Sequence, residues 1–195
     1  MQISGFNRSR QRHHTLACLG FIALVVLGPS GCKRDSIKDG VPMTLTIQSP
    51  DFLQGEDIPT QFTCSGGNTS PAISWSTLPP QTKSLVLLVT DLDSRFRPYV
   101  HWILYNLPPE PNNIPEALPR SESLPNGAKQ GTNSDPRIGY AGPCPPGNSP
   151  HRYVFTLYAM DTVLNPPAAP DKDQLTKAMQ GHILAAGQLT GHFHR

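Results

Sequence analysis

Two acidic and two histidine side chains lie near the ends of predicted strands, where they could form a polar site. The run 85–90 is apolar and β-branched, which is typical of a buried strand, and Asp91 and Asp93 follow it directly. Because side chains alternate along a strand, we expect the two carboxylates to point the same way. His101 begins the next predicted strand, 100–106. This hairpin is therefore predicted to form one wall of a polar pocket.

A second strong strand signal, at 151–160, brings an imidazole and a phenol to its start. Alternation puts His151, Tyr153, Phe155 and Leu157 on one face of this strand. The first two side chains on that face are polar and the next two are apolar. The pattern indicates a pocket mouth above a hydrophobic core.

These residue types permit four interpretations. A metal site is one, because histidine and carboxylate are common zinc ligands, but no H-E-x-x-H or similar spacing is present. Acid–base catalysis is another, with a carboxylate orienting an imidazole, although no G-x-S-x-G nucleophile motif occurs. A third is a small-anion site without turnover, formed by protonatable histidines, a tyrosine hydroxyl and loop N–H groups. The fourth is structural, since an Asp–His pair can simply satisfy buried polar groups at strand ends.

The elements that must position these residues are mainly strands. The chain has 195 residues, enough for one domain with a real core, and its 22 prolines with short β-rich runs argue against a helical bundle. A β-sandwich or α+β fold is favoured, and the Gly/Pro-rich stretch 131–150 is predicted to be a functional loop. Further strands are predicted at 43–48, 58–63 and 72–75, an amphipathic helix at 171–180, and a second short helix or a continuation at 182–189.

The N-terminus has the pattern of an export signal. Three arginines precede an apolar run at 16–27, which is too short to span a bilayer that needs ~20 residues, and Gly31-Cys32 follows. This resembles a bacterial lipoprotein signal, with residues 1–31 as the signal peptide, lipid on Cys32, a tether at 32–42 and a domain at 43–195. A plain cleaved signal and an uncleaved anchor remain alternatives. Lys33 after the cysteine resembles an outer-membrane sorting signal, so we expect a lipid-anchored periplasmic protein.

The charge balance excludes one class of partner. The chain has 16 Lys+Arg and 14 Asp+Glu, and the predicted signal holds three Arg and no acid, so the rest carries 13 against 14, a net charge of −1. Nothing in this balance predicts nucleic-acid binding.

Two cysteines remain in the predicted domain, Cys64 and Cys144. An even pair in an oxidising compartment predicts a disulfide, while two buried free thiols are the alternative.

Five segments together resemble the phosphatidylethanolamine-binding protein family, and most closely its bacterial branch, often labelled Raf-kinase-inhibitor-like. The resemblance covers about 43–193 and implies a mainly β fold, a sandwich of two antiparallel sheets with peripheral C-terminal helices. It also implies a shallow pocket that accepts phosphate, acetate or a phospholipid headgroup. The segments are FTCSGGNTSPAISW (62–75), DLD (91–93), HW (101–102), GPCPPGNSPHRYVFTLYAMD (142–161) and GHILAAGQL (181–189).

The resemblance assigns pocket roles to particular residues and shows one departure. Asp91 and Asp93 match the acids of the family's DPDAP motif, which reads Asp-Leu-Asp-Ser-Arg here and places Arg95 near the rim. The remaining matches are the motif histidine His101, the pocket-bordering Gly142 and Pro143, and His151 and Tyr153 of the GxHRY motif.

The function expected from the sequence is binding of a phosphate-like anion or phospholipid headgroup, in an inhibitor or regulator role. No catalysis, metal or cofactor is expected. The acids should sit behind the histidines and raise the imidazole pKa values, so that imidazole N–H groups and Tyr153 face the ligand. The rival functions are an Asp/His-dependent hydrolase and a protein-interaction module with a vestigial pocket.

Overall fold

The computed structural model describes residues 40–95 and 97–195. The predicted signal peptide, the lipidation site Cys32 and nearly all of the tether lie outside the described residues. The strands are β1 (Ile47–Gln48), β2 (Ile73–Trp75), β3 (Ser84–Asp91), β4 (Tyr99–Leu107), β5 (Asn113–Ile114), β6 (Lys129–Gln130), β7 (His151–Met160) and β8 (Ile183–Phe193). The α-helix α1 spans Lys172–Met179, and a short 3-10 helix spans Thr60–Phe62.

The strands form two antiparallel sheets. The smaller sheet has the order β1-β2-β5 and the larger has the order β6-β4-β3-β7-β8. Neighbouring strands in both sheets pair antiparallel. The predicted mainly β architecture of two antiparallel sheets is confirmed.

The larger sheet is buried on both faces, and β3 shows why its sequence is continuously apolar. Leu85, Leu87 and Val89 belong to the core that includes residues of the small sheet, while Val86 and Leu88 belong to a second core with residues of α1. A strand covered on both faces needs apolar side chains at every position rather than at alternate ones. The chain is thus layered as small sheet, large sheet and helix.

The helix α1 begins with a complete capping box. The Asp171 carboxylate accepts a hydrogen bond from the Gln174 backbone N–H at 2.8 Å, and the Gln174 side chain accepts one from the Asp171 N–H at 3.0 Å. Two N–H groups that the helix cannot satisfy internally are thereby paired. Gly181, at φ 78°, supplies the left-handed residue just beyond the helix end.

The second C-terminal helix was predicted wrongly, because 182–189 lies within strand β8. Its alanines and glycine favour no strand locally, but β8 pairs with β7 along its length. A backbone segment also lies against β8, because the Leu45 N–H donates to the Ala186 carbonyl at 3.0 Å, and a Cβ on Gly187 would clash with the Leu45 carbonyl oxygen. The small side chains therefore admit that segment and do not indicate helix.

Two other predicted strands are shorter or absent. The region 43–48 contributes only Ile47–Gln48 to a sheet. The region 58–63 contains the 3-10 helix instead, because Pro59 precedes it and the Phe62 N–H turns back to the Pro59 carbonyl at 2.9 Å.

The predicted disulfide between Cys64 and Cys144 is confirmed. The sulfur atoms are 2.09 Å apart and the Cα atoms 5.4 Å apart, across a sequence separation of 80. The bond joins the loop after the 3-10 helix to the loop before β7. Among the described residues, no helix is both long and apolar enough to cross a membrane.

Candidate functional site

Antiparallel pairing brings the ends of three neighbouring strands together. Asp91, the last residue of β3, pairs with Tyr99 of β4 and with Tyr153 of β7. Residues paired directly across strands share a sheet face, so the three side chains project on the same side. The structure thus brings Asp91, His101, His151 and Tyr153 together at one end of the large sheet.

His101 owes its position to an irregularity in β4. Val89 pairs with Trp102 and Thr90 pairs with Val100, which leaves His101 as the extra residue of a β-bulge. A bulge re-aims a side chain relative to simple alternation. Because of the bulge, the side chains of His101 and Trp102 can both project on one face of the sheet. Val100 and Ile103 project on the other face and contribute to the core with α1.

Asp91 and His151 form a buried pair. The His151 Nδ1 lies 2.7 Å from Asp91 Oδ2, and only 5% of Asp91 and 8% of His151 is exposed. Because a carboxylate can only accept, Nδ1 carries the proton, and a neutral His151 has its lone pair on Nε2. The second carboxylate oxygen, Oδ1, accepts the Asp93 backbone N–H at 2.8 Å.

His101 is held by the backbone of the 141–142 loop. Its Nδ1 donates to the Ala141 carbonyl at 2.7 Å, so the neutral ring again has its lone pair on Nε2. The ring lies between Tyr99, with centroids 4.8 Å apart, and Tyr153, which it meets edge-on at 5.1 Å.

The charge of Asp91 acts on the His101 pKa in the expected direction, but the net shift is downward, so the expected raised imidazole pKa is wrong for His101. Burial lowers its pKa, because a charged ring loses solvation, and the Ala141 hydrogen bond and the charge of Asp91 offset this only partly. His101 is therefore predominantly neutral at pH 7. Its Nε2 acts there as an acceptor rather than as an N–H donor.

The Tyr153 hydroxyl is buried, and its proton has no hydrogen-bond acceptor in the described part of the chain. Burial raises its pKa, the charge of Asp91 adds to this, and the nearby Cys144 backbone lowers it by less. The hydroxyl thus stays protonated and can donate. An unpaired buried hydroxyl is costly enough to need an explanation, and a bound ligand is one.

Asp93 does not share the site with Asp91, contrary to the alternation prediction. Its carboxylate accepts two hydrogen bonds from the Arg152 guanidinium, at 2.9 and 2.7 Å, and a third from the Arg152 backbone N–H at 2.8 Å. These donors lower the Asp93 pKa to about 2. Strand alternation ends at Asp91, where the chain turns, and Arg152 lies on the opposite face of β7 from His151. Asp93 therefore fastens the turn and does not line the pocket.

Gly142 directly follows the Ala141 carbonyl that holds His101, whereas the backbone contact of Pro143 is to the loop of Cys64. The Gly142 N–H donates to Asn68 Oδ1 at 2.7 Å, and the Pro143 carbonyl accepts the Cys64 N–H at 3.0 Å. A Cβ at position 142 would lie 2.5 Å from the Phe62 carbonyl oxygen, so only glycine fits there. No sequence pattern predicts the contacts of Asn68, because they depend on loops distant in the chain.

A cavity of about 390 Å³ lies beside this loop rather than at the histidines. Its lining includes Asn68, Leu118, Arg120 and Tyr140, and none of these was predicted as a site residue. Within 40–95 and 97–195, no group of three or more His, Cys, Asp or Glu side chains is placed to hold a metal ion.

Comparison with known proteins identifies the family. A family model described as phosphatidylethanolamine-binding protein matches residues 48–194. A protein of Methanothermobacter thermautotrophicus, named UPF0098 protein, is 41% identical over 151 residues, covering 77% of this chain and 99% of the relative. The crystal structure of CT736, a phosphatidylethanolamine-binding protein homologue of Chlamydia trachomatis, is 39% identical with a TM-score of 0.71, over 77% of this chain and 97% of CT736.

A second solved structure agrees. YbcL of E. coli, described as a member of the mammalian family, is 29% identical with a TM-score of 0.72, covering 77% of this chain and 98% of YbcL. The architecture, the order of the motifs and these matches agree with one another. The chain therefore belongs to the phosphatidylethanolamine-binding protein family.

Proposed function

We propose that this protein binds a phosphate-like oxyanion, either free or as a phospholipid headgroup, at His101, His151 and Tyr153, without catalytic turnover. The observation that carries the proposal is the pair of buried histidines whose Nδ1 atoms are both engaged in donating. Both rings are thus held in place through Nδ1, and neither Nε2 atom takes part in these two hydrogen bonds. The name of the matching family adds a phospholipid headgroup as the ligand class.

The proposed binding depends on proton uptake. The Tyr153 hydroxyl donates at any pH below its raised pKa, but each neutral imidazole offers only the Nε2 lone pair. Protonation converts Nε2 into a charged N–H donor for the oxyanion. Because burial lowers the pKa of His101, its contribution to affinity should develop below the ordinary histidine value of about 6.5.

Calorimetric titration with inorganic phosphate and with phosphoethanolamine, at pH 5.5 and pH 8, tests the proposal. Affinity should be higher at pH 5.5, and His151→Ala should weaken binding by about 1–3 kcal/mol, the range for a charge-assisted contact. His182→Ala is the matched control, because His182 forms a His–Asp pair with Asp161 at 2.8 Å on the exposed surface. An affinity that is the same at both pH values and is unchanged by His151→Ala would rule the site out.

A hydrolase is the second candidate, and the Asp91–His151 pair is the observation that favours it. A carboxylate-oriented imidazole with a free Nε2 lone pair is the arrangement of a general base. The test is release of p-nitrophenol from p-nitrophenyl phosphate. Turnover that His151→Ala abolishes and His182→Ala leaves intact would replace the binding proposal with the hydrolase.

We also propose that the protein is anchored in the periplasm through lipid on Cys32, in the outer membrane. The basic residues, the apolar run 16–27 and the Gly31-Cys32 junction support this. Cys32→Ser should move the protein from the membrane fraction to the soluble periplasmic fraction, with Cys18→Ser as the control. Equal membrane retention of the two variants would contradict lipidation at Cys32.

A further inference from the structure

The cavity beside the histidine site has a chemical character of its own. It lies between the loop 67–70 and the segment 117–120, and its volume of about 390 Å³ is within the range of small-molecule sites. Leu118 and the largely buried Tyr140 are the larger apolar side chains of the lining. Asn68 and Arg120 supply amide and guanidinium groups.

Two side chains of this cavity, Asn68 and Arg120, offer free donors. One Arg120 nitrogen, Nη2, donates to the Asn68 carbonyl at 2.7 Å, which orients the guanidinium and leaves further N–H groups unengaged among the described residues. Asn68 Oδ1 is occupied by the Gly142 N–H, so the side-chain NH₂ group remains to donate. The Tyr140 hydroxyl is already used, because it donates to the Phe62 carbonyl at 2.7 Å. No residue that lines the cavity carries a carboxylate.

We infer that this cavity binds a carboxylate carried on a small apolar body. The guanidinium fork of Arg120 matches a carboxylate, and the Asn68 NH₂ group adds a neutral donor. Leu118 and Tyr140 cover the apolar part of the ligand. This site is separate from the histidine site and does not depend on the function proposed for it.

One peptide group connects the two sites. The Ala141 carbonyl accepts from His101, and the Gly142 N–H of the same peptide unit donates to Asn68. Hydrogen bonds at the two ends of one amide polarise each other. A carboxylate that engages the Asn68 side chain therefore changes the hydrogen bond that fixes the His101 ring.

The test is NMR titration of the ¹⁵N-labelled protein with N-acetyl-leucine and, as the matched probe without a carboxylate, N-acetyl-leucinamide. N-acetyl-leucine should shift the Asn68 side-chain amide and Arg120 Nε signals and bind at least about tenfold more tightly than the amide. The ring nitrogens of His101 should shift in the same titration. An acetylated pentapeptide ending in leucine separates the sources of the carboxylate, because tighter binding indicates a peptide C-terminus and weaker binding a free small acid.

Variants locate the binding. Arg120→Gln should weaken N-acetyl-leucine binding by about tenfold or more, while Arg97→Gln, at another exposed arginine, should leave it unchanged. Asn68→Asp is the second variant, because it keeps the acceptor for Gly142 while placing a repelling charge in the cavity. Equal binding of acid and amide, or wild-type binding by both cavity variants, would overturn the site. If the ring-nitrogen signals of His101 do not shift when the protein is saturated with N-acetyl-leucine, the inferred connection between the two sites is wrong.

Discussion

The substitution Asp91→Asn should invert the tautomer of His151. The two carboxylate oxygens of Asp91 have separate partners: Oδ1 accepts the Asp93 N–H at 2.8 Å and Oδ2 accepts the His151 Nδ1–H at 2.7 Å. An asparagine of the same shape can keep its oxygen toward Asp93 and place its NH₂ toward His151. That NH₂ group can only donate, so His151 must move its proton to Nε2.

The expected loss of stability is small for so buried a site. Both hydrogen bonds survive the exchange, but the one to His151 is no longer charge-assisted, and charge-assisted bonds are roughly twice as strong as neutral ones. We expect the free energy of unfolding to fall by about 1–2 kcal/mol. Asp91→Ala leaves both donors without an acceptor and should cost more, about 3–5 kcal/mol.

Imidazole ¹⁵N NMR at pH 8 and urea unfolding measure the two effects. Because Nε2 of His151 then carries a proton at every pH, phosphate binding by Asp91→Asn should also depend less on pH than binding by the wild type. The surface control Asp161→Asn, at the exposed partner of His182, should change stability by less than about 1 kcal/mol. A His151 ring that remains protonated at Nδ1 in Asp91→Asn would refute the hydrogen-bond assignment.

Three further predictions concern stability. Replacing Cys64 and Cys144 together with alanine opens a loop of 80 residues and should lower the free energy of unfolding in urea by about 4 kcal/mol, whereas a difference below 1 kcal/mol would show that the bond constrains little. The pKa of Asp93 is lowered to about 2, so its ionised carboxylate stabilises the folded protein at pH values above the ordinary Asp pKa. This stabilisation is lost as pH falls through 2. Since the pair with Arg152 is partly exposed, Asp93→Asn should remove only about 1 kcal/mol at pH 7, and an unchanged acid-unfolding curve would contradict the pairing. The pKa of His101 is lowered in the folded protein, so as pH drops through about 6.5 the unfolded chain takes up the proton more readily and the free energy of unfolding falls. His101→Gln should flatten this decline between pH 7 and 5. An equally steep decline in the variant would contradict the burial of His101.

The central strands could be predicted because their signals are local. The predicted strand at 151–160 has the observed bounds of β7, and those at 85–90 and 100–106 fall within β3 and β4. Strand β8 could not be found in this way. Gly187 in this strand is explained by the backbone of Leu45, which lies against it from a position far away in sequence.

The site was predicted in composition but not in geometry. Asp91, His101, His151 and Tyr153 are together, as the strand ends and the family resemblance indicated. The direction of Asp93 could not be derived, because the alternation rule holds only within a strand and the chain turns after Asp91. Sequence patterns also did not predict the bulge at His101 or the contact of Asn68. The bulge depends on the pairing register, and the Asn68 contact depends on two loops joined by a disulfide.

The two histidines are held in place by different parts of the fold. Strand β7 is paired with β8 from His151 onward, and with β3 from Tyr153 onward. The amide protons of the residues paired on both sides should exchange with solvent only when the large sheet itself separates, so they should report the global stability. His101 lies in a bulge and takes its orienting bond from a loop carbonyl, which a local fluctuation can release while the sheet stays intact. Fluctuations of the 141–142 loop should therefore disturb the ring of His101 without separating the large sheet.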